Sequence, residues 1–223
     1  MAEIWEDLQC AGLMICRDTE GFTYGHDAVL LADFIRARRG ERLLDLCAGT
    51  GIIGLLAHAK TGTDVWAVDL SEQCCALMEK SVERNGLTEA VHVLHKDLRL
   101  IPDDNLPWES FDCAACNPPY FFGGTESPNP VRRHSMHEID CSLPEVAACA
   151  RRMLKNGGRF FVCYPASGLS RLCAVLEGEK LAVKRLCFVR AKLNKPPYLV
   201  LAEAKKGGGS GLVLENDLIL EDR

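Results

Sequence analysis

Strand and helix patterns alternate along most of this chain, and this alternation limits the folds that it can adopt. Short apolar runs predict strands at residues 42–47, 64–70, 91–98, 111–116, 159–164, 183–189 and 198–204. Apolar residues at helical spacing predict helices between them, at residues 52–60, 71–85, 143–154 and 169–176. Ser71 is the predicted cap of the second helix, and the glycines at 157 and 158 are typical of the end of the third. This order predicts an α/β fold, in which a mostly parallel, seven-stranded sheet carries helices on both faces. Because Pro196 and Pro197 separate the last two strands, we expect a short connection and an antiparallel last strand.

The two ends of the chain carry weaker signals. Residues 13–16 and 22–24 predict a hairpin, and a helix follows with Asp27 as a candidate N-cap. A glycine-rich run at 207–211 predicts a flexible tether, and the apolar residues after it can pair with the hairpin. We therefore expect one domain over residues 1–223, made of a hairpin and helix (1–40), a catalytic core (41–205) and a flexible tail (206–223).

The composition is ordinary for a soluble globular protein, with 48% hydrophobic and 26% charged residues among 223. No apolar run approaches the roughly 18 residues that span a bilayer, and the N-terminus lacks a signal-peptide core. We therefore expect a cytoplasmic protein with no membrane partner, as a monomer or a small homo-oligomer. The net charge of −5 argues against a protein that coats nucleic acid without specificity, although a local group of cations can still bind phosphates.

The 12 cysteines lie mostly within apolar runs. This placement indicates small core side chains in a reducing compartment rather than a disulfide framework. The pair Cys113 and Cys116 lies in a predicted strand, where residues three apart point to opposite faces. His134 and His137 have no further ligands at a recognised spacing. We therefore expect no metal site.

A glycine-rich loop follows the first core strand. Gly49, Gly51 and Gly54 let the backbone pass close to a ligand and let the following helix pack on the sheet, and the N-terminus of that helix favours a negative group. Asp69 ends the second core strand. These features fit a dinucleotide-binding fold almost as well as other cofactor folds, so the glycines alone leave the cofactor open.

Two further aspartates favour S-adenosylmethionine. Asp45 precedes the glycines, where a carboxylate can face the ammonium of an amino-acid-like ligand but would repel a pyrophosphate. Asp97 closes the third core strand, where a carboxylate and a backbone N–H can contact adenine. Either aspartate can instead cap a loop. The predicted contacts are Asp45 at the amino group, the backbone of Gly49, Thr50 and Gly51 at the methionine portion, Asp69 at the ribose hydroxyls, and Asp97 with Leu98 at the adenine, with Cys47, Ala48, Leu70 and Asn117 as further contacts.

The segment Asn117-Pro118-Pro119-Tyr120 follows the fourth core strand. Proline cannot continue a sheet and pushes the preceding residue into an extended conformation, so this backbone is stiff. The side-chain oxygen of Asn117 and the carbonyl of Pro118 can each accept one N–H of an amine, while Tyr120 stacks on a flat base. Such a segment can also be a stiff turn without a catalytic role.

These motifs, in this order and spacing, resemble those of class I S-adenosylmethionine-dependent methyltransferases that act on amino groups. The residues that carry the resemblance are Asp45 to Gly51, Ala67 to Leu70, Lys96 to Leu98 and Asn117 to Tyr120. Two further segments, Gly25 to Ala32 and Arg132 to His134, resemble the bacterial valine tRNA N6-adenine methyltransferases. The resemblance implies a Rossmann-like class I methyltransferase fold.

The resemblance also implies the reaction and its partner. The methyl group of S-adenosylmethionine would pass to N6 of an adenine in a tRNA anticodon loop, with Asn117, Pro118 and Tyr120 as catalytic residues. Phe121 would stack on the base, and Arg132 with Arg133 would close on a phosphate. Metal ions have no part in this chemistry.

Other functions remain open at this point. A protein glutamine N5-methyltransferase presents the same amide NH2 and uses the same motif, but it typically adds a helical N-terminal domain, whereas about 44 residues precede Asp45 here. Methylation of adenine in duplex DNA is disfavoured, since no separate target-recognition domain is visible. A non-catalytic module that binds S-adenosylmethionine or nucleic acid, or a nicotinamide oxidoreductase, would keep the same glycine loop.

Overall fold

The computed structural model describes residues 3–19, 25–104, 106–119 and 141–222. Its described helices are α1 (His26–Phe34), α2 (Ile52–Thr61), α3 (Glu72–Arg84), α4 (Leu143–Met153) and α5 (Leu169–Gly178), with short 3-10 turns at Leu98–Leu100, Ala166–Gly168 and Leu220–Asp222. Its described strands are β1 (Glu3–Asp7), β2 (Met14–Asp18), β3 (Arg42–Leu46), β4 (Asp64–Asp69), β5 (Val91–His95), β6 (Phe111–Cys116), β7 (Leu154–Pro165), β8 (Leu181–Arg190), β9 (Leu199–Lys206), β10 (Val213–Leu214) and β11 (Leu218–Ile219).

The main sheet has the order β10-β8-β9-β7-β6-β3-β4-β5, and β11 also pairs with β8. Neighbours from β7 through β6, β3 and β4 to β5 run parallel, whereas β9 runs antiparallel to both β7 and β8. The predicted α/β core of seven strands with an antiparallel last strand is therefore confirmed. In the described residues, β10 and β11 extend the sheet beyond the prediction.

Successive side chains of the central strands lie on opposite faces of the sheet and pack in two separate cores. Leu43 and Phe161 face a cluster that includes α1 and α2, whereas Leu44 and Phe160 face a cluster that includes α4 and α5. All four side chains are fully buried. Alternation along a strand produces this division, and each such side chain stabilises the fold by about 1.5–3 kcal/mol when buried.

The N-terminal segment differs from its prediction. The hairpin joins β1 to β2, with Trp5 opposite Cys16, so the partner of residues 14–18 lies before them in the chain. Residues 22–24, the predicted second strand, lie outside the described residues. Asp27 is not the N-cap, because α1 begins at His26 with Gly25 in the capping position. The Asp27 carboxylate instead accepts a hydrogen bond from the Tyr198 hydroxyl.

Glycines at 157 and 158 suggested the end of a helix, but α4 already ends at Met153. Strand β7 begins immediately at Leu154, and the register between β6 and β7 shifts between the pairs Phe111–Leu154 and Cys113–Arg159. Gly157 lies in this irregularity with a φ of 78°, a left-handed conformation that glycine adopts without steric cost. The glycines therefore serve a bulge in a strand.

Residues 206–222 form no free tether, which corrects the predicted flexible tail over the part that the structure describes. Strands β10 and β11 pair parallel with β8 rather than with the N-terminal hairpin. Three tail carboxylates pair with cations of β8 or the connection after it, and the Lys184 ammonium donates to carbonyls of the glycine run. These ion pairs are Arg185–Glu215, Arg190–Asp217 and Lys192–Glu221. Paired charges and strand pairing together hold the tail on the sheet.

Arg185 connects the tail to the rest of the fold. Its side chain is 7% exposed and lies over the ring of Phe34, with 3.8 Å from the guanidinium carbon to the ring centroid. It donates to Glu203 at 2.9 Å, to Glu215 at 3.1 Å and to the Phe34 carbonyl oxygen at 2.8 Å. One buried guanidinium thus joins β9, the tail and the end of α1.

We expect Arg185→Met to lower the free energy of unfolding by about 2–4 kcal/mol, because two partly buried carboxylates lose their shared partner. Lys192→Met is the matched control, since it removes an ion pair whose side chains are 56% and 52% exposed and should change stability by less than about 1 kcal/mol. Urea unfolding followed by circular dichroism measures both. Equal losses in the two variants would contradict this role of Arg185.

Candidate active site

The carboxyl ends of β3, β4 and β6 meet at one edge of the sheet. Leu46 pairs with Val68 on one side and with Cys116 on the other. The residues that follow Leu46 and Cys116, Cys47 and Asn117, therefore leave the sheet side by side. Ligands of open α/β sheets bind at this edge. The predicted site residues that the structure describes all lie in segments that end here.

The loop between β3 and α2 turns sharply. Cys47, Gly49 and Gly51 have φ values of 56°, 57° and 86°, so three of five consecutive residues are left-handed. The loop is closed by hydrogen bonds from Ala48 N–H to Val68 O at 3.1 Å and from Gly51 N–H to Ala48 O at 2.9 Å. This tight path brings backbone N–H groups together at the start of α2, where an anionic group is favoured.

Gly51 and Gly54 are required by packing as well. A Cβ on Gly51 would lie 2.6 Å from Cγ of Met78, which is fully buried in α3. A Cβ on Gly54 would lie 2.9 Å from Cγ1 of Val65. The loop therefore lies directly against α3, and α2 lies directly on the sheet, as the glycine spacing predicts. Met78 carries no local sequence signal, because its contact depends on how α3 packs.

The Asp69 carboxylate accepts hydrogen bonds from both the glycine loop and the connection between β4 and α3. Its Oδ2 accepts the N–H of Gly49 at 2.7 Å, and its Oδ1 accepts the N–H of Ser71 at 2.8 Å. Ser71 in turn caps α3 by accepting from Cys74 N–H at 3.2 Å, which confirms it as the predicted cap. The carboxylate is half-buried. A carboxylate oxygen can accept more than one hydrogen bond, so a contact to ribose hydroxyls is compatible with this geometry.

Asp45 lies fully buried beneath the same loop. Its Oδ2 accepts the N–H of Gly54 at 3.0 Å, whereas Oδ1 has no hydrogen-bond partner among the described residues. Burial raises the pKa of this carboxyl to about 7, the Gly54 hydrogen bond opposes the rise, and the charge of Asp69 adds to it. A buried carboxylate oxygen without a partner is costly, and a cation would satisfy it.

Thr50 has the same property. Its side chain is 1% exposed, and Oγ1 has no hydrogen-bond partner within the described part of the chain. Two buried oxygen atoms, Asp45 Oδ1 at the end of β3 and Thr50 Oγ1 in the glycine loop, thus have no hydrogen-bond partner among the described residues. The chemistry of this donor and acceptor set is compatible with the amino-acid end of S-adenosylmethionine.

Asp97 forms an ion pair with Arg99, a residue that the sequence analysis does not single out. Its carboxylate accepts from the Arg99 backbone N–H at 2.9 Å and from the Arg99 guanidinium at 2.6 and 2.9 Å. These bonds to Arg99 lower the pKa of Asp97. The residue thus caps the turn at Leu98–Leu100, which is the alternative that the sequence left open, and Leu98 is buried. Leu70, another predicted contact, is 39% exposed.

Asn117 and Pro118 follow β6 directly. Pro118 is buried and Asn117 is half-buried. The Asn117 Oδ1 accepts a hydrogen bond from the thiol of Cys163 on β7, with 3.0 Å between sulfur and oxygen. No local pattern could have revealed Cys163, because its approach follows from the pairing of two strands that are distant in sequence.

Several thiols surround this edge. The sulfur atoms of Cys47 and Cys141 lie 3.1 Å apart, and burial raises the pKa of Cys116 to about 11. The pKa of Cys47 is also raised, chiefly by its hydrogen bond with Cys116. The thiols of Cys47 and Cys116 are therefore protonated near neutral pH. Within the described ranges, no group of three His, Cys, Asp or Glu side chains could hold a metal ion.

Four predicted site residues lie outside the described residues. They are Tyr120, Phe121, Arg132 and Arg133. Their parts in catalysis and substrate binding stay predictions. No helix among the described residues combines the length and hydropathy needed to cross a membrane.

Two relatives of this chain from different bacteria carry the same name. A protein of Parabacteroides distasonis named tRNA1(Val) (adenine(37)-N6)-methyltransferase is 26% identical over 80% of this chain and 75% of its own length. A protein of the same name from Tolumonas auensis is 26% identical over 84% of this chain and 78% of its own length.

Solved structures share the fold. The crystal structure of a predicted O-methyltransferase from Agrobacterium tumefaciens superposes with a TM-score of 0.70, at 20% identity and with 86% of each chain covered. A TehB-like methyltransferase from Corynebacterium glutamicum gives a TM-score of 0.56 at 17% identity, over 82% of this chain and 89% of that one. The Rossmann-like class I methyltransferase fold is confirmed.

The family model described as the methyltransferase small domain matches residues 25–170 of the 223. That match contains the glycine loop, Asp69, Asp97 and Asn117. By this match and by its fold, the chain belongs to the methyltransferase small domain family.

Proposed function

We propose that this enzyme transfers the methyl group of S-adenosylmethionine to the exocyclic N6 of an adenine in a tRNA anticodon loop. The observation that carries the proposal is the position of Asn117, whose amide leaves the sheet beside the glycine loop. The names of the relatives supply the substrate class, since both proteins compared above are named as tRNA adenine-N6 methyltransferases.

The cofactor contacts follow from the buried oxygens of the loop. Asp45 Oδ1 receives the ammonium of the methionine portion, and the loop N–H groups face its carboxylate. Thr50, Cys47 and Ala48 line that end, while Asp69 and Leu70 lie toward the ribose. Asp97 and the backbone of Leu98 are the proposed adenine contacts, which requires that Arg99, 40% exposed, shares the Asp97 carboxylate or moves aside.

The chain's own contribution to the reaction is positioning. S-adenosylmethionine supplies an already activated methyl group. Asn117 Oδ1 and the Pro118 carbonyl each accept one N–H of the target amine, which turns its lone pair toward the methyl carbon and stabilises the positive charge that develops on nitrogen. A strong general base is unnecessary, because the methylated ammonium is acidic enough to lose a proton to water.

The remaining substrate contacts fall on residues outside the described ranges. Tyr120 and Phe121 stack on the adenine, and Arg132 with Arg133 bind a phosphate of the RNA. An anticodon-loop base is already accessible, whereas an adenine in a duplex must be flipped out at a cost of a few kcal/mol. This difference favours RNA loops over duplex DNA. A cytoplasmic location follows from a tRNA substrate.

A second candidate is methylation of a glutamine side chain in a protein, since Asn117 and Pro118 would hold its amide NH2 in the same way. To separate the two, the enzyme is incubated with radiolabelled S-adenosylmethionine, unmodified tRNA and a protein extract, and the labelled RNA is digested to nucleosides. Label in N6-methyladenosine supports the proposal. Label in protein with unlabelled RNA overturns it in favour of glutamine, and label in neither favours a non-catalytic binding module.

We expect Asn117→Ala to lower kcat at least about 100-fold, because the amine loses an acceptor that acts in the transition state. The Kd of S-adenosylhomocysteine should change less than about threefold. Asn194→Ala, at an exposed position of the β8–β9 connection, is the matched control and should keep wild-type turnover. Wild-type kcat in the Asn117 variant would exclude this role.

We expect the affinity for S-adenosylhomocysteine to fall as pH drops through about 7, because protonation neutralises Asp45. Asp45→Asn should bind the ligand weakly at every pH between 5.5 and 7.5, whereas Asp104→Asn, at an exposed position, should follow the wild type. Isothermal titration calorimetry measures these affinities. A wild-type pH profile in the Asp45 variant would contradict the assignment.

The raised pKa of Asp45 also predicts that protein stability falls as pH rises, whereas ligand affinity falls as pH drops. Its folded pKa lies above the ordinary value of 3.8, so the ligand-free protein loses stability as pH rises toward and through about 7. Asp45→Asn removes that loss. The Tm of the variant relative to wild type should therefore be higher at pH 8 than at pH 5.

A further inference from the structure

Asn117 is held from the side by the neighbouring strand. Strands β6 and β7 are parallel and in register at Cys116 and Val162, so the next residues of each, Asn117 and Cys163, lie next to each other. The Cys163 thiol donates to Asn117 Oδ1 across 3.0 Å. Cys163 is fully buried, whereas Asn117 reaches partly into solvent. The contact thus links a rigid core position to the mouth of the site.

Cys163 is itself fixed by the sheet. It lies in the middle of the β7–β9 pairing, opposite Leu201, which is also fully buried. Strand β9 pairs on its other side with β8. The backbone of Cys163 cannot shift without disturbing two ladders of hydrogen bonds, and the close packing around its side chain limits the rotation of the thiol.

The orientation of the Asn117 amide decides whether it can bind an amine. A primary amide presents an acceptor oxygen on one side and a donor NH2 on the other, and a rotation of 180° exchanges them. An amine substrate needs the oxygen, since an NH2 group facing an N–H repels it. An amide oxygen can accept two hydrogen bonds, so a bond from the thiol is compatible with a second bond from the substrate amine.

We propose that Cys163 is a positioning residue for methyl transfer, and that its thiol holds the Asn117 amide with the oxygen available to the target amine. The inference rests on the proposed function, because it assigns Asn117 to an amine substrate. Loss of the thiol would lower the fraction of enzyme with a correctly oriented amide. The effect would fall on kcat and not on cofactor binding.

The test compares Cys163→Ala with Cys163→Ser. Single-turnover methylation of unmodified tRNA should be about three- to tenfold slower in the alanine variant, as one net hydrogen bond predicts, with unchanged KM and unchanged Kd for S-adenosylhomocysteine. The serine variant keeps a donor of similar size and should recover most of the rate. Cys149→Ala is the control, since Cys149 is equally buried but lies in α4, and it should stay within about twofold of wild type.

A second measurement does not depend on activity. In protein labelled with ¹⁵N-asparagine, the side-chain resonances of Asn117, assigned with Asn117→Ala, should shift and broaden in Cys163→Ala, recover in Cys163→Ser and stay in place in Cys149→Ala. Unchanged Asn117 resonances together with a wild-type rate in Cys163→Ala would overturn the proposal. If wild-type enzyme methylates no RNA while the resonances respond as expected, the proposed function fails but the contact that orients Asn117 stands.

Discussion

The carboxylate of Asp69 joins two crossovers of the sheet, and the rest of the site depends on that junction. Gly49 belongs to the loop after β3, and Ser71 begins α3 after β4, yet both donate to the same side chain. The junction fixes the left-handed loop against the end of β4. Thr50 belongs to this loop and Asp45 to the strand that leads into it, so the positions of their buried oxygens depend on how the loop is held. The Asp69 carboxylate therefore holds in place loop backbone that strand pairing alone does not fix.

The site keeps an unfavourable group for the sake of binding. Asp45 is fully buried with one oxygen unpartnered among the described residues, and its pKa of about 7 reports the cost of ionisation there. A ligand ammonium would turn this cost into an attraction, because desolvation that penalises an isolated charge also strengthens its pairing. Ionisation of Asp45 thus lowers the stability of the ligand-free protein and raises its affinity for the cofactor.

Patterns within a few residues predicted much of this architecture. Apolar runs located the core strands, Ser71 was read as a cap, and the glycines at 49–54 were read as a close-packed loop. Contacts between distant segments were beyond such reading. Local pattern predicts Asp27 as a cap and cannot predict its hydrogen bond with Tyr198, because Tyr198 lies far along the chain. Cys163 is likewise predicted only as a core thiol, because the contact with Asn117 depends on the register between two strands. The tail looked free because its cationic partners are spread along β8.

The order of strands in the sheet has a consequence for how the chain assembles during synthesis. β8 is made before β9, yet β9 lies between β8 and β7. β8 and the short strands that pair with it join the rest of the sheet only through β9, so they can complete the sheet only after β9 has left the ribosome. Until then the β7 edge, with Cys163 and the support of Asn117, is exposed and can pair with other strands. The half of the sheet that carries the glycine loop can form early, whereas the half that orients the amide is completed late.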